Sequence, residues 1–291
     1  MPTSFLRRSN LQNFRINKLS GGSTLTKINR SSHLDHFDRV MRLDLNSQYR
    51  LKSLSVSQAS KYFEACKAQG TSIRTLQNRA ASLRAALESE GRGHFATTLM
   101  TNEKLGISGG SRLGTHVPAA PHVIEQRLAG MSGGAAAAAQ LQRQLGLRAR
   151  EAVSCGGSLQ SWSTALARGA THLSVVHGTK GGRPRDVRIT GDRAALSAAI
   201  GDALAIAKQD GQLVKSTSLG GACRSYGRAL AAAGFKGAEA SHSLRYAFAR
   251  EQFEAYKSQG ADEREALAML SQDLGHGDGR GTYCKTVYLR G

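Results

Sequence analysis

The sequence predicts a mainly α-helical protein of two domains, a small helical N-terminal domain and a larger mixed α/β domain with one short β-hairpin. Three observations indicate this. Apolar residues recur at helical spacing along most of the chain. That pattern stops over residues 94–119, where glycines and prolines interrupt any sustained period. Over residues 171–190, two short β-rich runs flank a glycine-rich basic turn, as in a hairpin.

The length of 291 residues is sufficient for two domains that each bury a core. We expect the helical N-terminal domain over residues 24–93 and, over residues 94–119, an interdomain linker or a binding loop. The first predicted helix covers roughly residues 31–46. The stretch SVSQASKYFEACKAQG then begins with a serine cap and carries Ala59, Tyr62, Phe63 and Cys66 on one face. The stretch TSIRTLQNRAASLRAALESEG carries an apolar stripe from Ile73 to Leu87.

The second domain is expected over residues 120–291. Helical periodicity resumes there after the linker and continues beyond the hairpin. The run of alanines near its start favours a helix and carries no further signal. The predicted helices of this domain cover residues 121–130, 133–145, 148–154, 192–209, 218–233, 242–257 and 262–273.

Basic residues outnumber acidic ones. Lysine and arginine total 40, aspartate and glutamate total 21, and the net charge is +19. Such a chain repels itself unless a polyanion neutralises it, so nucleic acid is the first candidate partner. An anionic membrane is the second, but the longest apolar run, near residues 135–139, is too short to span a bilayer. The four cysteines are scattered without a C-x-x-C pair, which favours reduced thiols over disulfides or a metal knuckle.

Basic side chains are concentrated at the N-terminus. Residues 1–34 contain six basic residues and no acidic one, with two adjacent glycines among them. We therefore expect residues 1–23 to form a mobile basic arm. Contacts with DNA are expected from this arm and from the polar face of the helix that follows Ser72, through Arg7, Arg8, Arg15, Lys18, Arg74, Arg79 and Arg84.

Four separated stretches contain the residues best suited to chemistry. They are QLGLRAREAVSC, GTKGGRPRD, SHSLRYAF and the C-terminal LGHGDGRGTYCKTVYLRG. Guanidinium groups match the geometry of phosphodiester oxygens, and a lysine or histidine can transfer protons. A phenol becomes a nucleophile where cations stabilise the phenolate. Because these stretches offer no clustered carboxylates for a two-metal site, the pattern favours metal-free transesterification.

These stretches, in this order, resemble the catalytic boxes of the tyrosine recombinases, the phage integrase family, over roughly residues 120–291. The helical N-terminal domain resembles the core-binding (SAM-like) domain of that family. Overall the chain is similar to integrases of bacterial mobile elements. The resemblance implies a C-shaped clamp whose two domains grip opposite sides of a DNA duplex. It also implies a tetramer on two DNA sites, no cofactor and no metal, and it leaves room for accessory DNA-bending proteins.

The resemblance also assigns roles to single residues. Arg148 and Arg245 would be the two arginines that clamp the scissile phosphate. Glu151 would support Arg148 by holding the helix of the active site. Lys180, in the turn of the hairpin, would protonate the leaving 5′ oxygen.

Two histidines and two further arginines complete the expected site. His242 would transfer a proton within the H-x-x-R box, and His276, in LGH, would hydrogen-bond the scissile phosphate. Arg183 and Arg185 neighbour the hairpin lysine and are expected to contact DNA.

The nucleophile has two candidates. The family usually places its tyrosine after a shorter interval than the one from His276 to Tyr288, yet Tyr283 comes slightly too early. Tyr288 follows an apolar residue, as in the terminal box of the family, and the inserted GDGRG accounts for the added length. We therefore favour Tyr288 and keep Tyr283 as the alternative.

The expected function is site-specific recombination of DNA through a 3′-phosphotyrosyl intermediate, without metal or ATP. Two other functions stay open, a non-catalytic DNA-binding regulator or architectural protein with a recombinase fold, and a type IB topoisomerase-like resolvase. The N-terminal MPTSFLRRSN has no apolar core of signal-peptide length. We accordingly expect the protein in the bacterial cytoplasm, associated with the nucleoid.

Overall fold

The computed structural model describes residues 3–110, 113 and 116–289, with side chains from residue 12 onward. The chain forms two compact units that divide between residues 111 and 112, and each has its own hydrophobic core. Helices predominate in both, and the described strands form one two-stranded sheet. The predicted fold class, mainly helical with a short hairpin in the second unit, is confirmed. Every described helix is either too short or too polar to span a lipid bilayer.

The regular structure described in the first unit is helical. Its helices are α1 (Thr3–Ser20), α2 (Thr24–Arg39), which continues into a π-helical turn (Val40–Asp44), α3 (Val56–Ala68), α4 (Ile73–Ser89) and α5 (Gly93–Thr98). Ser55 caps α3, because its hydroxyl accepts from the backbone N–H of Gln58, whose side chain accepts from the backbone N–H of Ser55. Ser72 caps α4 through the backbone N–H of Thr75. The predicted apolar faces of α3 and α4 form the core of this unit.

The N-terminal segment differs from the expected mobile arm. Residues Thr3–Ser20 form α1, which packs against α2 and α4. Ile16 on α1 is only 1% exposed in the core of the unit. Asn17 donates to the hydroxyl of Ser31 at 2.9 Å and so ties α1 to α2. Because Ile16 and Asn13 are buried against the rest of the unit, α1 is part of the domain.

The basic residues predicted in this unit have different surroundings. Arg15, Lys18 and Arg74 are exposed, as contacts with DNA would require. The side chains of Arg7 and Arg8 lie outside the described residues. The predicted DNA contacts of these five residues therefore stay predictions.

Arg79 and Arg84 differ from the expected surface arginines. Arg84 donates from Nε to the carbonyl of Met100 at 2.7 Å and from Nη2 to Oδ1 of Asn102 at 2.5 Å. Arg79 is half-buried and donates to the Sγ of Cys66 at 3.3 Å. Both side chains thus stabilise the unit from inside. Their position off the apolar stripe predicts that both side chains are exposed to solvent. In the structure, the loop after α5 covers Arg84 through Met100 and Asn102.

The expected linker over residues 94–119 also differs from the structure. Its first part forms most of α5, and Met100, Leu105 and Ile107 are then buried in the first core without helical periodicity. Only the described residues from 113 onward belong to the second unit. Irregular backbone can bury apolar side chains as well as a helix can, and periodicity does not report it.

Over its described residues, the second unit contains the predicted helices and two more. They are α6 (Pro121–Ala129), α7 (Gly133–Leu145), α8 (Ala149–Ser154), α9 (Leu159–Ala167), α10 (Arg193–Asp210), α11 (Leu219–Ala232), α12 (His242–Ser258), α13 (Glu263–Asp273) and α14 (Gly281–Tyr288). The sequence had predicted each of these except α9 and α14. The four cysteines of the chain are unbridged, as expected.

The hairpin of the second unit pairs β1 (His172–Val175) with β2 (Arg185–Arg188) in antiparallel register. His172 lies opposite Arg188, and Val175 lies opposite Arg185. A short 3₁₀ turn at residues 180–182 forms the tip. The predicted hairpin is therefore confirmed, and its basic turn connects the end of β1 to the start of β2.

One glycine determines where α7 ends. Gly146 adopts a left-handed conformation with φ of +56°, and a Cβ there would lie 2.3 Å from the ring of Phe248. No other residue fits this close approach between α7 and α12. The carbonyl of Gly146, which has no partner within α7, consequently accepts from Arg245 of α12.

Candidate active site

A cleft of about 1110 Å³ in the second unit brings together most of the predicted site residues. Its lining includes Arg148, Lys180, His242, His276 and both candidate tyrosines. Arg245 lies beneath them, fully buried on α12. Residues from four distant stretches of the sequence thus converge on one place.

Tyr288 lies at the centre of this arrangement. Its hydroxyl is 3.0 Å from Nε2 of His276 and accepts from Nε of Arg245 at 3.4 Å. The side chain is 2% exposed, whereas Tyr283 is 39% exposed. The ring of Tyr283 lies 4.9 Å from that of His276. The hydroxyl of Tyr288 thus contacts both a histidine and an arginine.

Backbone carbonyls at the ends of two helices hold the predicted clamp arginines. Arg245 donates from Nη1 to the carbonyl of Gly146 and from Nη2 to the carbonyl of Leu274. Arg148 donates from Nη2 to the same carbonyl of Leu274 at 3.0 Å. Carbonyls at helix C-termini carry partial negative charge, so α7 and α13 orient both guanidinium groups. The sharp turn at Gly146 is what allows this contact.

Glu151 is the carboxylate that organises the arginines. It is fully buried and accepts from Nη1 of Arg148 at 2.6 Å and from Nη2 of Arg185 at 2.8 Å. Burial would raise its pKa, but the charge and hydrogen bonds of Arg185, followed by Arg245, lower the pKa to about 2. Glu151 is therefore ionised at neutral pH. Its predicted support of Arg148 matches this geometry.

Arg185 differs from the expected DNA contact. It is 7% exposed, and besides Glu151 it donates to the carbonyls of Asp273 and Gly146. Burial lowers its pKa to about 10, and the charge of Arg245 adds to this effect. The alternation along β2 places Arg185 on the inner face, which a sequence search for basic residues does not consider. Arg188, on the opposite face of β2, is paired with buried Asp273 at 3.0 Å.

Lys180 and Arg183 occupy the turn of the hairpin. Both are exposed and line the cleft, and neither side chain has a hydrogen bond or ion pair within the described part of the chain. The charge of Lys180 reaches the site, because it contributes to the lowered pKa of His276. The role expected of Lys180 toward the leaving oxygen stays a prediction.

Both predicted histidines are neutral at physiological pH. Burial, with the charge of Arg245 next, lowers the pKa of His242 to about 4 and that of His276 to about 3. A neutral imidazole can accept a proton on one nitrogen and donate from the other. His276 contacts the hydroxyl of Tyr288, so it is placed to exchange a proton with the phenol.

Sequence reasoning missed two residues beside the site. The ring of His116 lies 5.5 Å from that of His242, and its Nδ1 is 3.0 Å from the carbonyl of Ala238. The segment around His116 lacks periodicity, so no pattern pointed to it. His172 lines the cleft from β1, opposite Arg188. Strand alternation in the predicted hairpin could have found His172.

Among the described residues, no group of three or more His, Cys, Asp and Glu side chains is arranged to hold a metal ion.

The chain resembles known integrases in fold. It is similar to the integrase of the Tn1549 transposon in complex with transposon right-end DNA, with a TM-score of 0.59, 16% identity, and coverage of 95% of this chain and 93% of that chain. It is also similar to a lambda integrase tetramer bound to a Holliday junction, with a TM-score of 0.56, 19% identity, and coverage of 92% and 77%.

Family models match both units. Residues 8–96 match the model described as phage integrase, N-terminal, which includes most of α1. Residues 106–251 match the model described as integrase, and this match alone covers half of the chain. No curated protein sequence matches the chain significantly. With two family models in the expected order and the recombinase residues around one cleft, the chain belongs to the phage integrase family of tyrosine recombinases.

Proposed function

We propose that the protein is a site-specific DNA recombinase that cuts and rejoins DNA through a covalent bond to Tyr288. The observation that carries the proposal is the position of the Tyr288 hydroxyl, 3.0 Å from His276 and 3.4 Å from Arg245 in a cleft lined by cations. The net charge of +19 supports a polyanionic substrate. The Tn1549 and lambda integrases of similar fold were solved in complexes with DNA.

The arginines stabilise the charge that develops during attack. In the proposed reaction, a phosphodiester of the substrate strand enters the cleft between Arg148 and the turn of Lys180. Charge accumulates on its non-bridging oxygens as the phenol attacks. Arg148 and Arg245 are already oriented by Leu274 and Glu151, so little reorganisation is needed when this charge appears.

Proton transfer balances the step. The oxygen of Tyr288 forms a bond to phosphorus, and the bond from phosphorus to the 5′ oxygen breaks. The phenol proton passes to the neutral ring of His276, which contacts the hydroxyl of Tyr288. Lys180 gives a proton to the leaving 5′ oxygen. Attack by a 5′-hydroxyl of the partner strand then reverses the same steps. The phosphotyrosyl ester keeps the energy of the broken bond, so ATP is not needed.

Strand exchange requires one active site for each strand that is cut. We therefore propose that four protomers assemble on two DNA sites, as the lambda integrase tetramer does on a Holliday junction. The exposed residues Arg15, Lys18 and Arg74 of the first unit would add contacts to the DNA backbone.

The test is direct capture of the covalent intermediate. Purified protein is incubated with a duplex library of random sequence that carries a nick, so that the cut end is lost and rejoining is prevented. After denaturation, DNA that stays attached to protein is sequenced, and the modified peptide is identified by mass spectrometry. We expect attachment at Tyr288 within a defined DNA sequence. Specific DNA binding without any attachment would overturn the proposal and would instead favour a non-catalytic regulator.

A further inference from the structure

The cleft is larger than a single phosphodiester requires. Its volume of about 1110 Å³ lies just above the usual range for sites that enclose whole drug-sized ligands, which ends at about 1,000 Å³. Successive phosphates of a DNA strand therefore fit within it, on either side of the one that is attacked. Charges on the rim of the cleft are candidates to bind these flanking phosphates.

The cationic side chains of the cleft fall into two groups. Arg148, Arg185 and Arg188 are bound to carboxylates or backbone carbonyls of the chain itself. Arg280, like the two cations of the hairpin turn, is exposed and lines the cleft, yet its side chain has no hydrogen bond or ion pair within the described ranges. An arginine without an internal acceptor keeps all its donors for a ligand.

The backbone on which Arg280 lies is held in place by the chain. The hydroxyl of Ser271 donates to the carbonyl of Gly277 at 2.7 Å. The side-chain amide of Gln272 donates to Oδ1 of Asp278 at 2.9 Å. These bonds tie the segment between His276 and α14 to the end of α13. The acid nearest in sequence to Arg280 thus already has a partner.

Arg280 immediately precedes α14, the helix that carries Tyr288. A ligand bound to this arginine would therefore hold the start of the nucleophile's own helix. The hairpin cations, on a different element, have no such connection. This placement distinguishes Arg280 from a general contributor to DNA affinity.

We propose that Arg280 binds a DNA phosphate next to the one attacked, and that this contact positions α14 so that Tyr288 can attack. The inference rests on the proposed function, since it assumes that Tyr288 reacts with DNA. Arg280 is a positioning residue in this scheme. Its effect should appear in the rate of covalent attachment more than in the affinity for DNA.

The experiment combines one substitution with single neutral phosphates. A series of duplexes from the captured site carries a methylphosphonate at each position flanking the scissile phosphate. We expect one flanking position to slow attachment by the unaltered protein about 10- to 100-fold, the range for a hydrogen bond to a charged group. Arg280→Ala should be slowed by a similar factor on normal DNA and show no further loss at that position. Arg280→Lys should recover part of the rate, because it keeps the charge.

Arg264→Ala is the matched control, since Arg264 is exposed on α13. It should keep the rate and the methylphosphonate profile of the unaltered protein. Equal rates for Arg280→Ala and unaltered protein, or an additive loss at every flanking position, would overturn the inference. If the unaltered protein forms no covalent product, the proposed function itself has failed, so the two failures are distinguishable.

Discussion

The hydroxyl of Tyr288 lies 3.0 Å from Nε2 of His276, although the two residues are separated by a glycine-rich segment and most of a helix. Burial and the charge of Arg245 lower the pKa of His276 to about 3, so its ring is neutral at physiological pH. A neutral imidazole beside a phenol can take the proton that the phenol must lose. The contact thus places a proton acceptor, His276, beside the phenol of Tyr288.

Tyr288→Phe is expected to abolish covalent attachment to DNA while DNA affinity stays within about twofold, since one hydroxyl contributes little to binding a polyanion. Tyr283→Phe should retain attachment. The measurement is denaturing electrophoresis of protein with a nicked duplex of the captured site. If Tyr283→Phe loses covalent attachment and Tyr288→Phe retains it, Tyr283 is the nucleophile instead.

Two parts of this site illustrate what the sequence can predict. The motif residues Arg148 and His276 were identified because their spacing within short boxes is independent of the rest of the fold. Arg185 was misplaced on the surface, because its burial depends on the pairing of β2 with β1 and on carbonyls of α7 and α13. Long-range packing of this kind leaves no local pattern.

The same distinction applies to the first unit. The apolar stripes of α3 and α4 predicted their buried faces correctly. In α1, only Ile16 and Asn13 are buried among the described side chains, while Phe14 and Leu19 are exposed, so the apolar residues do not mark the buried face. The burial of Leu105 and Ile107 in irregular chain was likewise invisible to periodicity. Tertiary contacts decided these positions.

Arg148→Ala is expected to slow covalent attachment by about 10³-fold or more, because an arginine can contribute 10³–10⁵-fold to phosphoryl transfer. DNA affinity should change only a few-fold, since many other cations remain. The rates are measured by single-turnover attachment at saturating protein. Arg264→Ala serves as the control and should keep its rate. A loss below tenfold for Arg148→Ala would remove this residue from the site.

Glu151→Gln is expected to destabilise the second unit by about 3–5 kcal/mol, because removing its charge leaves buried Arg185 without a carboxylate. Urea denaturation measures this loss, and Glu254→Gln, at an exposed position of α12, is the control. The pKa of Glu151 is lowered from 4.5 to about 2. Its contribution is therefore complete above pH 4.5 and is lost as pH falls toward 2. A variant as stable as the unaltered protein would contradict this.

The lowered pKa of His276 predicts a second dependence of stability on pH. Its cause is burial of a base, whereas for Glu151 it is the charge of the arginines. The unfolded chain binds a proton at this residue below about pH 6.5, whereas the folded chain binds it only near pH 3. Stability should therefore fall as pH decreases through 6.5, and the loss continues down to about 3. His276→Gln should remove part of this dependence in urea titrations at pH 7 and pH 5. Parallel curves for the variant and the unaltered protein would show that burial of His276 does not matter.

The structure of α1 changes what should be expected from its basic residues. Deletion of residues 1–23 would remove Ile16 from the core, so it would test folding rather than DNA binding. Replacing exposed Arg15 and Lys18 together by alanine keeps that core intact. If both contact phosphates, the slope of log affinity against log salt should become shallower by about 2, with uniform weakening across DNA sequences. Fluorescence anisotropy at several salt concentrations measures the slope, and an unchanged slope would mean that α1 does not reach the DNA backbone.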